Sequence, residues 1–243
     1  MERKLDLAII GHGKMGREVE RFALEHGHRI AVIIDNEEQW KSAAGVLKRA
    51  DAAIEFTSPN QAPSNIFRCF ELNIPVVCGT TGWSEALPEI ENRCLEMGQT
   101  LFHAPNFSIG VNIFFELNRK LASIMSGMND YRPHISETHH KEKLDAPSGT
   151  AVALALDILA EINGLRRWVL NAPEVRPDEL SVEAHRIEGV TGTHTVTYQS
   201  SIDAIEMKHI AHNRQGFAEG ALLAAAYVAG KRGVFTMKDL LNL

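Results

Sequence analysis

The sequence predicts an α/β protein whose first hundred residues form a doubly wound parallel sheet and whose remainder builds a smaller domain of different pattern. Three observations predict it. Short β-branched apolar runs alternate with amphipathic helical stretches up to about residue 103, the order expected of a parallel sheet with crossover helices. A glycine cluster follows the first apolar run, where a strand must turn sharply into a helix. After Pro105 the alternation stops.

Taken in order, strands are expected at Leu5 to Ile10, Ile30 to Ile34, Ala52 to Phe56, Pro75 to Cys78 and Thr100 to His103. The stretches between them, such as Lys14 to His26 and Ser84 to Met97, space their apolar residues as helices do. Beyond Pro105 come a helical stretch from Gly110 to about Ile124, one strand, a helix over Val152 to Ile162, and a long polar segment. Residues from Asn171 to Pro177 hold prolines and charges without periodicity and read as an exposed loop. Thr193 to Ser200 and Ala204 to Ile210 alternate polar and apolar residues, as strands of a half-solvated or interface-forming sheet would. Gln215 to Gly230, rich in alanine and leucine, is expected to pack as a helix on the first domain. The expected division is therefore 1–109 with 216–243, and 110–215.

The chain has 243 residues, 44% of them hydrophobic and 23% charged, which excludes a disordered or low-complexity protein and allows a sizeable core. A formal net charge of -6 argues against nucleic acid or an anionic membrane as partner, although a basic pocket inside an acidic protein can still take an anion. Cys69, Cys78 and Cys94 are odd in number and lack metal-type spacing, so a reducing cytoplasm is expected. The start at Met1 shows no signal-peptide pattern, and no apolar run is long enough to span a membrane.

The first chemical signal is Gly11, His12, Gly13, Lys14, Met15, Gly16, a GxGxxG placed between an apolar strand and a helix. Gly11 permits the tight turn, Gly13 lets a pyrophosphate approach the backbone, and Gly16 lets helix and strand pack closely. The helix N-terminus adds free N–H groups and a partial positive charge. A second strand ends at Asp35, about twenty residues on, where a carboxylate can accept the hydroxyls of an adenine ribose. These features predict a Rossmann-like domain binding NADH or NADPH. Asn36, where an arginine would hold a 2′-phosphate, tilts the choice toward NADH, while Arg17 or Lys41 keeps NADPH open. Gly79, Thr80 and Thr81 after the fourth strand, and Ala104, Pro105, Asn106 and Phe107 after the fifth, fall at carboxyl edges where ligands of open sheets bind.

The second signal is the polar run from Glu137 to Ala151. His139 and His140 are adjacent in a strand and must point to opposite faces. Lys143 follows in a short loop, and Ser148, Gly149 and Thr150 open a helix whose hydroxyls and N–H groups suit a carboxylate. Ser148 serves equally as a plain N-cap, and the lysines as solvated charges. The paired histidines have no third ligand at recognisable spacing, so no metal is expected.

His139, His140, Lys143, Asp145, Ala146, Pro147, Ser148, Gly149, Thr150 and Ala151 resemble the HHxxKxDAPSGTA signature of the 4-hydroxy-tetrahydrodipicolinate (dihydrodipicolinate) reductases. The resemblance extends to Gly11 through Arg17, Glu55 to Thr57, Gly79 through Gly82, Asn106 to Ser108, Gly110 to Asn112, and Phe217, Gly220 and Ala221. Two departures are a compact glycine loop and Pro105 where other members have alanine. The resemblance implies reduction of 4-hydroxy-tetrahydrodipicolinate to tetrahydrodipicolinate by NAD(P)H in diaminopimelate and lysine biosynthesis. It implies His139 as proton donor or acceptor, Lys143 as proton donor, and His140, Ser148, Gly149 and Thr150 as ligands of a small dicarboxylate. It also implies a second, α+β domain with a mixed sheet that assembles a homotetramer. Hydride addition must be followed by protonation from a positioned acid, and closure between domains is expected. Two rivals remain open at this point: another two-domain dehydrogenase, and a non-catalytic NADH sensor. Neither accounts for the run from His139 to Thr150.

Overall fold

The computed structural model describes residues 3–243, so the first two residues of the expected first domain lie outside it. The chain divides into two compact units, Met1–Ile109 with Gln215–Leu243, and Gly110–Arg214. In chain order the elements are β1 (Asp6–Ile10), α1 (Lys14–Glu25), β2 (Arg29–Ile34), α2 (Glu37–Leu47), β3 (Ala52–Glu55), α3 (Ala62–Glu71), β4 (Val76–Cys78), a 3-10 turn (Ser84–Ala86), α4 (Leu87–Glu96) and β5 (Thr100–His103). They continue with α5 (Ile109–Met125), β6 (Arg132–His139), α6 (Gly149–Glu161), β7 (Arg167–Leu170), β8 (Glu179–Arg186), β9 (Gly192–Gln199), β10 (Ala204–Ala211), α7 (Gln215–Val228), β11 (Gly233–Phe235) and α8 (Met237–Leu241).

The first unit is built on a six-stranded sheet in the order β11-β5-β4-β3-β1-β2, parallel at every pairing. Buried on both faces, β1, β3 and β4 read as continuous apolar runs rather than alternating ones. The chain reverses its direction of travel across the sheet between β1 and β3. That topological switch point sets the glycine loop in the crevice where open sheets bind ligands.

Helix α7 returns to this unit and buries Ala218, Gly220, Ala221, Ala224 and Ala225. The small face is required by close approach: a Cβ on Gly220 would lie 1.8 Å from the Phe107 carbonyl oxygen. Alanine normally favours a helix by about 1 kcal/mol over glycine, yet here it must push helix and loop apart, at about 1–3 kcal/mol. Gly220→Ala is therefore expected to lower the thermal midpoint by several degrees, read by a calorimetric or circular-dichroism melt. A raised midpoint would mean the helix has room to retreat.

The second unit carries a mixed sheet in the order β10-β9-β6-β8-β7. β6 runs antiparallel to β9 and parallel to β8. Helices α5 and α6 cover one face, where Phe114, Ala122, Leu154 and Ile158 pack on Ile135, Val182, Val196 and Tyr198. Two strands lie in the segment that the sequence presents as polar: β7 and β8. In β8 Leu180, Val182 and Ala184 alternate with Ser181, Glu183 and His185, the pattern of a half-solvated strand that the reading of one long polar segment passed over. β11 and α8 are likewise too short for periodicity to reveal. Among the described residues, no helix is long and apolar enough to cross a membrane, and Cys69, Cys78 and Cys94 are free and buried.

Candidate active site

At the carboxyl edge of the first sheet, Gly11 adopts a φ of 89°, and a Cβ there would strike the Phe56 carbonyl oxygen at 2.2 Å. Only glycine turns the chain so tightly at that spot. A Cβ on Gly16 would meet the Gly11 oxygen at 2.0 Å, whereas one on Gly13 meets nothing within 4 Å. Gly13 thus borders open space at the start of α1, whose N-cap has no side-chain hydrogen bond, leaving amides available to an anion. His12 donates its backbone N–H to Asp35 Oδ1 at 2.8 Å, fixing the carboxylate beside the glycine loop. Lys14 is exposed and Met15 half-buried in the first turn of α1.

A cavity of about 290 Å³ is lined here by Gly11, Gly13, Asp35, Glu37, Trp40 and Thr57 among others. Its lining could hold part of a dinucleotide: glycines and helix amides for phosphates, a carboxylate for ribose hydroxyls, and an aromatic wall. Arg68 is committed to Glu37 through two bonds of 2.8 and 2.9 Å and stands over the Trp40 ring at 5.2 Å. Thr57 donates its N–H to Thr80 Oγ1 at 2.8 Å, joining this edge to the loop of Gly79, Thr80 and Thr81. Ala104 is buried, Pro105 exposed and Asn106 half-buried at the end of β5. The Phe107 ring enters the core against Phe56 and Phe102, so only its backbone faces the loop region.

In the second unit the structure gathers the His139 to Thr150 residues at one end of the covered sheet face. The inward positions of β6 are Pro133, Ile135, Glu137 and His139, so His139 is buried and His140 half-buried on the opposite phase. Ser148 is 3% exposed and caps α6, its Oγ accepting from Ala151 N at 3.2 Å. The next two amides, of Gly149 and Thr150, have no hydrogen-bond partner among the described residues and open toward solvent. Lys143 Nζ donates to both oxygens of Asp145, at 2.8 and 2.9 Å.

Three groups that the sequence reading passed over complete the cluster: Glu137, Arg186 and His194. Glu137, fully buried, accepts from Ser148 N at 3.0 and 3.1 Å and from both terminal nitrogens of Arg186 at 3.4 Å. His194, paired with Glu137 across β6 and β9, reaches Glu137 at 3.5 Å and Ser148 Oγ at 3.1 Å. The His139 Nδ1 lies 3.5 Å from Glu137. A polar residue on the apolar phase of a strand is the signal that finds both Glu137 and His194. Ligand-type atoms of Glu137, His139 and His194 lie within 4.8 Å of one another, a group that leaves out His140 of the adjacent pair. The carboxylate there is already engaged by the Ser148 amide and the Arg186 guanidinium.

Burial acts on Glu137 to raise its pKa, but hydrogen bonds from His194 and from the side chain and backbone of Ser148, with His139 nearby, outweigh it and hold the carboxyl down to about 2. Burial pushes His139 down to about 4, with the positive charges of Lys143 and Arg186 adding to it and Glu137 opposing. At neutral pH the cluster is therefore an ionised carboxylate beside an uncharged imidazole, with two fixed cations at its rim.

Comparison with known proteins identifies the family. Residues 5–107 match the family model of the dihydrodipicolinate reductase N-terminus, and residues 110–241 that of its C-terminus. A 4-hydroxy-tetrahydrodipicolinate reductase of Christiangramia forsetii is 45% identical over 238 residues, covering 98% of both chains. One of Methanosarcina barkeri is 36% identical over 209 residues, covering 84% of this chain and 78% of its own. A solved dipicolinate-bound dihydrodipicolinate reductase from Paenisporosarcina sp. TG-14 shares the fold with a TM-score of 0.76 at 22% identity, covering 96% of this chain and 98% of that one. With both halves matched and nearly the whole length aligned, the chain belongs to the dihydrodipicolinate reductase family.

Proposed function

We propose that this NAD(P)H-dependent reductase converts 4-hydroxy-tetrahydrodipicolinate to tetrahydrodipicolinate, with Lys143 delivering the proton. The observation that carries the reading is the start of α6: two unpartnered amides, of Gly149 and Thr150, stand next to a loop bearing an ammonium group, beside a buried imidazole. Helix amides and a nearby cation suit a carboxylate, and His140 and Ser148 are further candidates for the substrate's two acid groups. The nicotinamide supplies the hydride. What remains for the protein is to bind the dicarboxylate, orient it and donate one proton to carbon. His139, neutral at physiological pH, is suited to polarising or relaying, whereas Lys143 carries the proton itself. The direct test generates the substrate in situ with its upstream synthase and follows loss of reduced-nicotinamide absorbance. No oxidation despite clear NADH binding would move the weight to another dehydrogenase or to a sensor.

NADH is the cofactor we favour over NADPH. Asp35 and Glu37 both line the cavity, Arg68 is held by Glu37, and Arg17 donates its Nε to the His12 carbonyl at 3.2 Å. A 2′-phosphate would meet two carboxylates there, which weigh against it. Glu37→Gln releases Arg68 and removes one negative charge, so the ratio of kcat/KM for NADH over NADPH is expected to fall about fivefold, the size of one exposed charge pair. An unchanged ratio in parallel assays would place the discrimination elsewhere. The three free, buried cysteines support a reducing, cytoplasmic setting. Ile210, exposed on edge strand β10 and on the opposite phase from Met207, which packs on the helix-covered core, marks the open face of the mixed sheet as the surface for the homotetramer.

A further inference from the structure

The residues that hold the Lys143 loop in place come from outside it. Arg186 ends β8, directly beside His139 in the parallel register of β6 and β8. Its guanidinium donates from Nη2 to the Asp145 carbonyl at 2.5 Å and from Nε to the Lys143 carbonyl at 3.4 Å. Nη1 donates to the His185 carbonyl at 2.8 Å, and both terminal nitrogens reach Glu137 Oε1 at 3.4 Å. Glu137 in turn accepts the Ser148 amide on both oxygens. One ion pair, of a buried carboxylate with a half-buried guanidinium, thus grips the loop at Lys143, Asp145 and Ser148.

Little else restrains this segment. Leu144 is 98% exposed, and Lys141, Glu142, Asp145 and Ala146 are exposed as well. The Lys143 to Asp145 ion pair is internal to the loop and cannot anchor it to the sheet. Within the loop, Lys143 N donates back to the His140 carbonyl at 3.2 Å, which shapes a turn but does not fix its direction.

We propose that Arg186, locked on Glu137, is a positioning residue that sets where Lys143 presents its ammonium and where the α6 N-terminus presents its amides. The inference rests on the reading of Lys143 as proton donor. Arginine is needed because a planar fork bonds two carbonyls and a carboxylate at once, whereas a lysine keeps the charge but offers a single point. A displacement of about 1 Å in a reacting group can cost about 10² in rate.

The experiment is a double-mutant cycle of Arg186→Lys and Arg186→Met against Lys143→Ala, with substrate generated in situ. Arg186→Lys is expected to lower kcat about tenfold and Arg186→Met about 10²-fold, while NADH affinity stays within about twofold because the cofactor loops lie in the other unit. In the Lys143→Ala background both substitutions should have little further effect on kcat, since the proton donor is already gone, while the role at the α6 amides should survive as a raised KM. Should Arg186→Met fail to fold, Arg186→Lys decides alone. Wild-type kcat in Arg186→Lys, or an undiminished loss in the Lys143→Ala background, overturns the clamp. If Lys143→Ala is itself as active as wild type, the reading of the site fails first and the clamp with it.

Discussion

Replacing Lys143 by alanine is expected to lower kcat/KM for the in situ substrate by about 10²–10⁴-fold, the range lost with a general acid, while leaving NADH binding intact. The expectation follows from the charge states around it. His139 is buried and held neutral down to about pH 4, so near pH 7 it has no excess proton to give. Lys143 is the ammonium at the rim, paired with the exposed Asp145 in a contact that an incoming carboxylate can replace. Replacing His139 by glutamine should cost less, because an amide still offers a hydrogen bond. Steady-state assays on both variants, with NADH titrated by fluorescence, separate the roles. A larger loss in His139→Gln than in Lys143→Ala would make His139 the donor and Lys143 a carboxylate ligand.

How far the sequence reveals this arrangement depends on whether the signal is local. The glycine loop is legible because Gly16 is demanded by Gly11, five residues back, and Gly11 by its own left-handed backbone, and the strands up to His103 because each carries a short apolar run. The run from His139 to Thr150 is equally local, and it leads into the N-terminus of α6. What stays hidden is supplied across the sheet. Arg186 ends a strand inside the segment read as polar, and only the parallel register of β6 and β8 brings it beside His139. Glu137 and His194 meet only through the register of β6 and β9, and neither neighbours the other in sequence. Their one local trace is a charged or polar side chain on the apolar phase of an alternating strand. Phe107 shows the converse: it sits in a loop that faces the ligand edge, yet its ring belongs to the core, because α7, more than a hundred residues on, closes over it at Gly220.

Glu137→Gln is expected to destabilise the protein by about 3 kcal/mol at pH 7, with the deficit shrinking in acid. The carboxyl of Glu137 stands at about 2 in the folded chain against 4.5 when unperturbed, a shift worth about 3 kcal/mol. Since the folded value is the lower one, that stabilisation is complete above pH 4.5 and is lost as the pH falls toward 2. His139 acts in the same direction over a higher window. Its folded value of about 4 lies below the ordinary 6.5, so the unfolded chain takes up the proton first and stability declines between pH 6.5 and 4. Wild type should therefore weaken in two acid steps, and the glutamine variant should lack the lower one. The neutral amide also turns an N–H toward donors, the Ser148 amide and Arg186, leaving that guanidinium without its carboxylate in a half-buried place. Urea unfolding of both proteins at pH 7, 5 and 3 reads the difference directly. A deficit that stays constant across that range would mean that Glu137 is not held as the anion, and the grip of Arg186 on the loop would then rest on the two carbonyls alone.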